Sequence, residues 1–271
     1  MSDNPDFPPI VYKYRNWTDI NHQNMLRNNE LYLSSPADFN DPFDCRIPEN
    51  FYLLDTPAKI DEYIGKVIDR QYDTLLKDRI DLKLFSERMK LRLTNRLDQV
   101  QGEHEQITFE ALDRNYGVLS LSARWDSILM WSHYAQNHKG YCIGFHEEEL
   151  CKAKLFGRGG MVITPDDNNY PAIDPNDDDI MKKVILQTQY KSNEWAYENE
   201  YRLTSLLPGL PTVNDRKRFV TNACVAELTL GLQTPEDHKQ EMIEIALTKG
   251  IKVFQTVKVP FKFLIDRIQI A

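Results

Sequence analysis

The sequence predicts an α+β protein, a mostly antiparallel sheet system with helices inserted, on three observations. Strand-like runs of β-branched and aromatic residues open the chain, helical apolar spacing occupies Thr56 to Asp113, and β character returns after Gly117. The expected organisation is a single α+β domain over residues 1–271 with a helical insertion at about 56–113.

"IVYKYR" (Ile10 to Arg15) reads as the first strand, with Tyr12 and Tyr14 on one face and Lys13 and Arg15 on the other. "DINHQNMLRNN" reads as a short helix whose apolar side holds Ile20, Met25 and Leu26. "ELYLSS" is a second strand. "PADFNDPFDC" is a loop in which Pro36, Asn40, Asp41 and Pro42 set turns, while Phe39 and Phe43 anchor it to the core. Thr56 is the N-cap and Pro57 the first residue of a helix that repeats apolar residues at Ile60, Ile64, Val67 and Ile68. Leu84, Phe85, Met89, Leu93 and Leu97 repeat the pattern, and the many charges between them mark solvated faces.

Beyond Gly117, "VLSLS" is a strand, "RWDSILMWSHYAQNH" a helix ending before Gly140 and "YCIGF" another strand, with "MVIT" expected to continue the sheet. "PDDNNYPAIDPNDDD" is an acidic, Pro-rich mobile loop. "KVILQTQY", "EYRLTSL" and "CVAELTLG" read as strands. "TPEDHKQEMIEIALTKG" reads as a helix with Thr234 as N-cap, Pro235 first and Gly250 as terminator. "IKVFQTVKV" and "KFLIDRIQI" are the closing strands, and no internal repeat occurs.

Composition narrows the function classes. A net charge of -8 argues against a large nucleic-acid footprint, though not against brief contact through a local basic patch. Cys45, Cys142, Cys151 and Cys224 are scattered without metal-type spacing, so buried thiols in a reducing cytoplasm are expected. No apolar run is long enough to span a bilayer, so no membrane partner is expected. Gly-rich phosphate loops, HExxH and GxSxG are absent. His133 and His138 fall on different faces of a helix, and no metal is expected.

One stretch raises a chemical question. In "NEWAYENEYRLTSL", strand alternation would project Glu198, Glu200 and Arg202 together, and like charges repel. The simplest answer is a solvated edge on which Arg202 neutralises one carboxylate. The wider motif set opens another. "YKYR", "LYLSSPADFNDPFDC", "GVLSLSARWDSILMWSHYAQNHKGYCIGF" and "YENEYRL" resemble a bacterial family of unknown function, DUF2971-like, and the resemblance covers nearly the whole chain. More weakly, an arginine on the first strand, a Ser-x-Ser strand and a Glu-x-Glu at a later strand's start are similar to the R–S–E pattern of ADP-ribosyltransferases. Leu121 stands where threonine is common in that pattern. The second resemblance implies a split, mostly antiparallel β-sandwich that takes NAD as substrate without a Gly-rich loop.

What it implies residue by residue follows the chemistry. Cleavage of the nicotinamide–ribose bond develops positive charge on the sugar, as in glycoside cleavage. Glu200 would stabilise that charge, and Glu198 would orient or deprotonate the acceptor. Arg15 would hold the pyrophosphate or adjoining ribose. Ser120 and Ser122 would bond the nicotinamide ribose or the glutamate, with Tyr134 or Trp131 flanking the nicotinamide ring. Each residue has a structural reading too. Arg15 pairs with a strand acid, Ser122 caps the next helix, Trp131 and Tyr134 pack in the core, and Cys142 packs inside its strand. His133, near Asp126 and Met130, is a satisfied polar residue, and Asn40, Asp41 and Asp44 hold their own loop.

The expected function is a cytoplasmic ADP-ribosyltransferase-like enzyme, a toxin or anti-phage effector, acting on a protein, nucleic-acid or small-molecule acceptor and restrained by an antitoxin or regulatory partner. The alternatives are a non-catalytic ligand- or partner-binding protein of the same fold and an NAD-degrading or nuclease-like hydrolase.

Overall fold

The computed structural model describes residues 7–167 and 169–271, so Asn168 of the expected mobile loop lies outside the described residues. Its strands are β1 (Ile10–Arg15), β2 (Glu30–Tyr32), β3 (Tyr116–Ser122), β4 (Tyr141–His146), β5 (Arg158–Met161), β6 (Glu200–Leu206), β7 (Lys217–Phe219), β8 (Val225–Leu230), β9 (Lys252–Lys258) and β10 (Ile265–Gln269). Its helices are α1 (Ile20–Asn28), α2 (Pro57–Lys77), α3 (Leu82–Asn95), α4 (Leu97–Asn115), α5 (Ile128–Tyr134), α6 (Glu147–Lys152), α7 (Ile180–Thr188) and α8 (Glu236–Thr248). The chain divides into two compact units. One is Met1–Asn40, Arg114–Asn168 and Lys191–Ala271; the other is Asp41–Asp113 and Asn169–Tyr190.

The first unit is built on an eight-stranded sheet in the order β10-β9-β8-β4-β1-β3-β6-β5, with β2 and β7 paired separately. Neighbours run antiparallel except β8 and β9, which are parallel because α8 crosses between them. One sheet face is apolar. Val11, Leu121, Ile143, Phe145, Tyr201 and Leu203 pack there with Met25 and Leu26 of α1, Leu150 of α6 and Met242 of α8. Each such buried side chain stabilises by about 1.5–3 kcal/mol. The other face is mixed. Tyr12, Tyr14 and Cys142 pack against Met130 and Trp131 of α5, while Ser122, Glu200, Arg202 and Glu227 are buried without leaving polarity behind.

β1 pairs with β4 along its whole length, Ile10↔His146 to Arg15↔Tyr141. With β3 it shares only Tyr12↔Ser122, so the two strands part beyond that rung.

The helix from Arg124 is shorter than the sequence predicts. It is capped by Ser127, whose hydroxyl accepts from Met130 N at 3.3 Å, and it ends at Tyr134. Gln136, Asn137 and His138 then take positive φ values of 51°, 54° and 65°. Three non-glycine residues there are strained, by about 1–2 kcal/mol each. The turn closes on Gly140, whose N–H donates to Ala135 O at 2.9 Å. A Cβ on Gly140 would lie 2.1 Å from Arg15 O. The glycine of the "HKG" motif is therefore fixed by a backbone approach. Gly140→Ala is expected to destabilise the protein by about 3 kcal/mol, read from urea unfolding midpoints.

Two other expectations change. "KVILQTQY" lies largely in α7, because Asp179 caps a helix by accepting from Lys182 N at 2.9 Å, and burial falls on Lys183 and Gln187, four residues apart. The β-branched residues of that stretch mimic a strand locally. In α8 the N-cap position is Pro235, while the Thr234 hydroxyl donates to Gly140 O and Gly231 O, both at 3.0 Å. Gly250 ends the helix region at φ 70° as expected.

The second unit holds α2, α3, α7 and most of α4, around a core of Phe51, Leu54, Ile60, Tyr63, Ile64, Val67 and Leu93. Thr56 caps α2 and Pro57 opens it, as the sequence predicts. Asp41 holds its own loop, its carboxylate accepting from Phe43 N at 2.9 Å. The Phe43 ring is not a core anchor; it is 59% exposed.

Candidate functional site

The site lies in the first unit, where the chain enters β6. A 3-10 turn over Asn193–Glu198 ends at Asn199, which adopts φ 44°, a conformation asparagine tolerates better than most residues. Two contacts lock this corner to the end of β3. Asn199 O accepts from Ala123 N at 2.8 Å, and the Ser122 hydroxyl donates to Glu198 O at 2.6 Å while accepting from Arg124 N at 3.2 Å. Glu198 is thus not a strand residue. The kink at Asn199 brings its carboxylate beside Glu200 where simple alternation was expected to do so.

Both carboxylates converge on Lys191, whose ammonium donates to Glu198 Oε2 at 2.6 Å and Glu200 Oε2 at 3.2 Å. Arg202 binds Glu200 with a fork, Nε to Oε1 at 2.7 Å and Nη2 to Oε2 at 3.0 Å. These four groups are deeply buried: Lys191 is 8% exposed, Glu198 4%, Glu200 6% and Arg202 0%. The solvated-edge reading is therefore wrong in its setting, since β6 lies between β3 and β5. Its pairing of Arg202 with a glutamate is right. Two acids and two bases cancel, which is how such charges persist away from water.

Burial alone would raise the Glu200 pKa. The charges of Arg202 and Lys191, with hydrogen bonds from Arg202 and Ser120, outweigh it and bring it down to about 2. A carboxylate with a depressed folded pKa contributes stability that is full above the ordinary carboxylate range and lost as pH falls through about 2. Urea unfolding of the wild type should weaken steeply from about pH 4 to pH 2, by on the order of 3 kcal/mol from this group. In a Glu200→Leu/Arg202→Met double variant, that part of the slope should disappear.

Tyr134 reaches in from α5 and donates to Glu198 Oε1 at 2.6 Å. Burial first, then the Glu198 charge, pushes its pKa far up, while a hydrogen bond from Asn40 opposes them. Lys13 enters from β1, donating to the Ser120 carbonyl, and supplies the donor that the missing β1–β3 rungs would have provided. Burial and the nearby Arg15 drive its pKa well down, against the pull of Glu200 and Glu198. Aromatic side chains surround this buried floor. Lys191 Nζ lies 4.7 Å from the Trp195 ring centroid, Arg202 5.7 Å from that of Phe39, and His133 Nδ1 is 3.0 Å from Tyr197 OH.

The structure thus brings together Glu198, Glu200, Ser120, Ser122 and Tyr134. It leaves Arg15 and Trp131 outside. Tyr12 stands opposite Ser122, which stands opposite Glu200, so these three share a face. Arg15, out of phase with Tyr12 along β1, points to the other face; burial lowers its pKa, and the groups that offset this are Tyr141 and Asp19. Trp131 is wholly buried, donates to Trp125 O at 2.8 Å and meets Tyr14 edge-on at 5.2 Å. It is a core residue. Sequence reasoning missed Lys191 and Trp195, and gave no role to Lys13 of "YKYR" or Tyr197 of "YENEYRL"; these residues arrive through chain reversal at the turn and strand parting at β1. Among the described residues, no three His, Cys, Asp or Glu side chains gather as a metal site requires. No helix among them is long and apolar enough to cross a membrane.

Fold and site together define an α+β protein on an open, mostly antiparallel sheet, with a buried four-charge cluster at the β3–β6 end of its polar face. Residues 130–203 match the family described as "Protein of unknown function (DUF2971)". The resemblance read from the motifs is borne out over that stretch, which contains "MWSHYA", the left-handed turn, Gly140 and "YENEYRL". No curated protein and no solved structure matches the chain.

Proposed function

We propose that the protein is an ADP-ribosyltransferase-like enzyme that consumes NAD, working in the cytoplasm as a toxin or anti-phage effector. One observation carries this reading. The strands bearing the S and E positions, β3 and β6, are neighbours in the sheet, Ser122 stands opposite Glu200, and Ser120 hydrogen-bonds Glu200, while the R position on the adjoining β1 faces away. The parting of β1 from β3 is the feature that would answer to the split of that fold's sandwich.

In the proposed reaction the C–N bond to nicotinamide breaks, and its electron pair leaves with the ring. The ribosyl cation is met by the ionised Glu200, and the acceptor attacks it as Glu198 takes the acceptor's proton. Tyr134 positions Glu198 through its hydrogen bond. The Lys191 contact to Glu200, at 3.2 Å, is longer than the two from Arg202 and is the one a ribose hydroxyl would replace. The pyrophosphate role of Arg15 has no support from its position and drops out.

A second reading is favoured by the closure of both Glu200 oxygens by Arg202, namely a non-catalytic binding protein whose ion cluster is structural. Purified protein mixed with NAD and cell extract separates them. Release of nicotinamide with a labelled acceptor supports the transferase, and release without label makes water the acceptor and the protein a hydrolase. No NAD binding by calorimetry and no consumption would leave the binding protein.

A further inference from the structure

The β9–β10 hairpin ends in the tip "KVPFKFL", Lys258 to Leu264. Its apolar side chains are in water: Phe261 is 108% exposed, Phe263 99% and Leu264 57%. Single exposed apolar residues are ordinary, but two fully solvated rings beside a leucine on one short turn are a patch. The backbone holds them out. Phe261 sits at φ 59°, a region costly for a bulky residue, and Val259 fixes the turn, donating to Leu264 O at 3.0 Å and accepting from Lys262 N at 3.2 Å. Lys258 and Lys262 are exposed beside the rings, and no acidic residue falls between Lys258 and Leu264. On a chain of net charge -8 this tip is a local cationic point.

We propose that the tip docks the protein on an anionic lipid surface, seating Phe261 and Phe263 in the interface with Lys258 and Lys262 among the headgroup phosphates. The charge of the tip complements such a surface. Its size and shape disfavour a protein occupant. Two rings bury about 150–250 Å² each, short of the ~800 Å² per partner of a stable interface. Strand addition by a second copy is also opposed. The outward N–H of Arg267 on the edge strand β10 is already taken by the Asp266 carboxylate at 2.8 Å, which blunts that edge. A lipid interface needs neither a reciprocal pocket nor a free edge, only shallow burial of the rings. The expectation of no membrane partner rested on the lack of a spanning run, which interfacial docking does not require.

Sedimentation of the full chain with vesicles tests this, using phosphatidylcholine alone and phosphatidylcholine mixed with phosphatidylserine. Binding is expected only to the mixed vesicles and should weaken as salt rises. Phe261→Ser/Phe263→Ser should reduce it at least about tenfold, and Lys258→Glu/Lys262→Glu by about tenfold or more. Both variants should keep the wild-type melting temperature, because these side chains are in solvent. Equal sedimentation with both vesicle types, or unchanged binding by the two variants, would overturn the proposal. So would a wild-type dimer in solution that the Phe261→Ser/Phe263→Ser change dissolves, which would assign the tip to a second copy.

Discussion

Replacing Arg202 with methionine is expected to destabilise the protein by about 3–5 kcal/mol, the cost of leaving a buried carboxylate without its partner. Arg202 is fully buried and supplies two of the hydrogen bonds that hold Glu200. Without it, Glu200 keeps Lys191 at 3.2 Å and the Ser120 hydroxyl, and Lys191 is shared with Glu198. At about 2–4 °C per kcal/mol for a domain of this size, the melting temperature should fall by roughly 10 °C. Glu200→Leu together with Arg202→Met removes both charges and should recover most of that loss. If Arg202→Met melts within a degree or two of wild type, the cluster does not hold the sheet together, and water must reach Glu200.

Glu200→Gln is expected to lower NAD turnover by at least about a hundredfold while NAD binding weakens far less, because the amide keeps the shape but cannot stabilise a cation. The variant also leaves Arg202 without its counter-charge and Lys191 with Glu198 alone. A stability loss of several kcal/mol is therefore expected, and turnover must be measured well below the variant's own melting temperature. Glu198→Gln should cut labelling of the acceptor more than hydrolysis by water, since its proposed task is to prepare the acceptor. Tyr134→Phe, which removes one hydrogen bond to Glu198 and little volume, should shift the same ratio in the same direction. Turnover unchanged in folded Glu200→Gln would end the transferase reading and leave the ion cluster as architecture.

Local signals determined what local physics decides. Thr56 and Pro57 announce the start of α2, Gly250 marks the end of the α8 region, and alternating apolar residues in "IVYKYR" and "EYRLTSL" give strands that the structure contains. The resemblance to the R–S–E pattern set Glu198, Glu200, Ser120, Ser122 and Tyr134 apart as one group, and the structure brings those five together. Strand-versus-helix identity failed at "KVILQTQY", where a β-branched run is locally ambiguous and the cap at Asp179 settled it.

Tertiary structure alone decided the rest. Which face Arg15 shares depends on cross-strand register, and register is a long-range property: one pair, Tyr12↔Ser122, assigns Arg15 to the face opposite Glu200. The arrival of Lys191 between the two carboxylates depends on the kink at Asn199. The entry of Lys13 depends on β1 and β3 parting after a single rung. A sequence states which charges exist. Only the fold removes water from around them, and that removal forces each charge to find its partner.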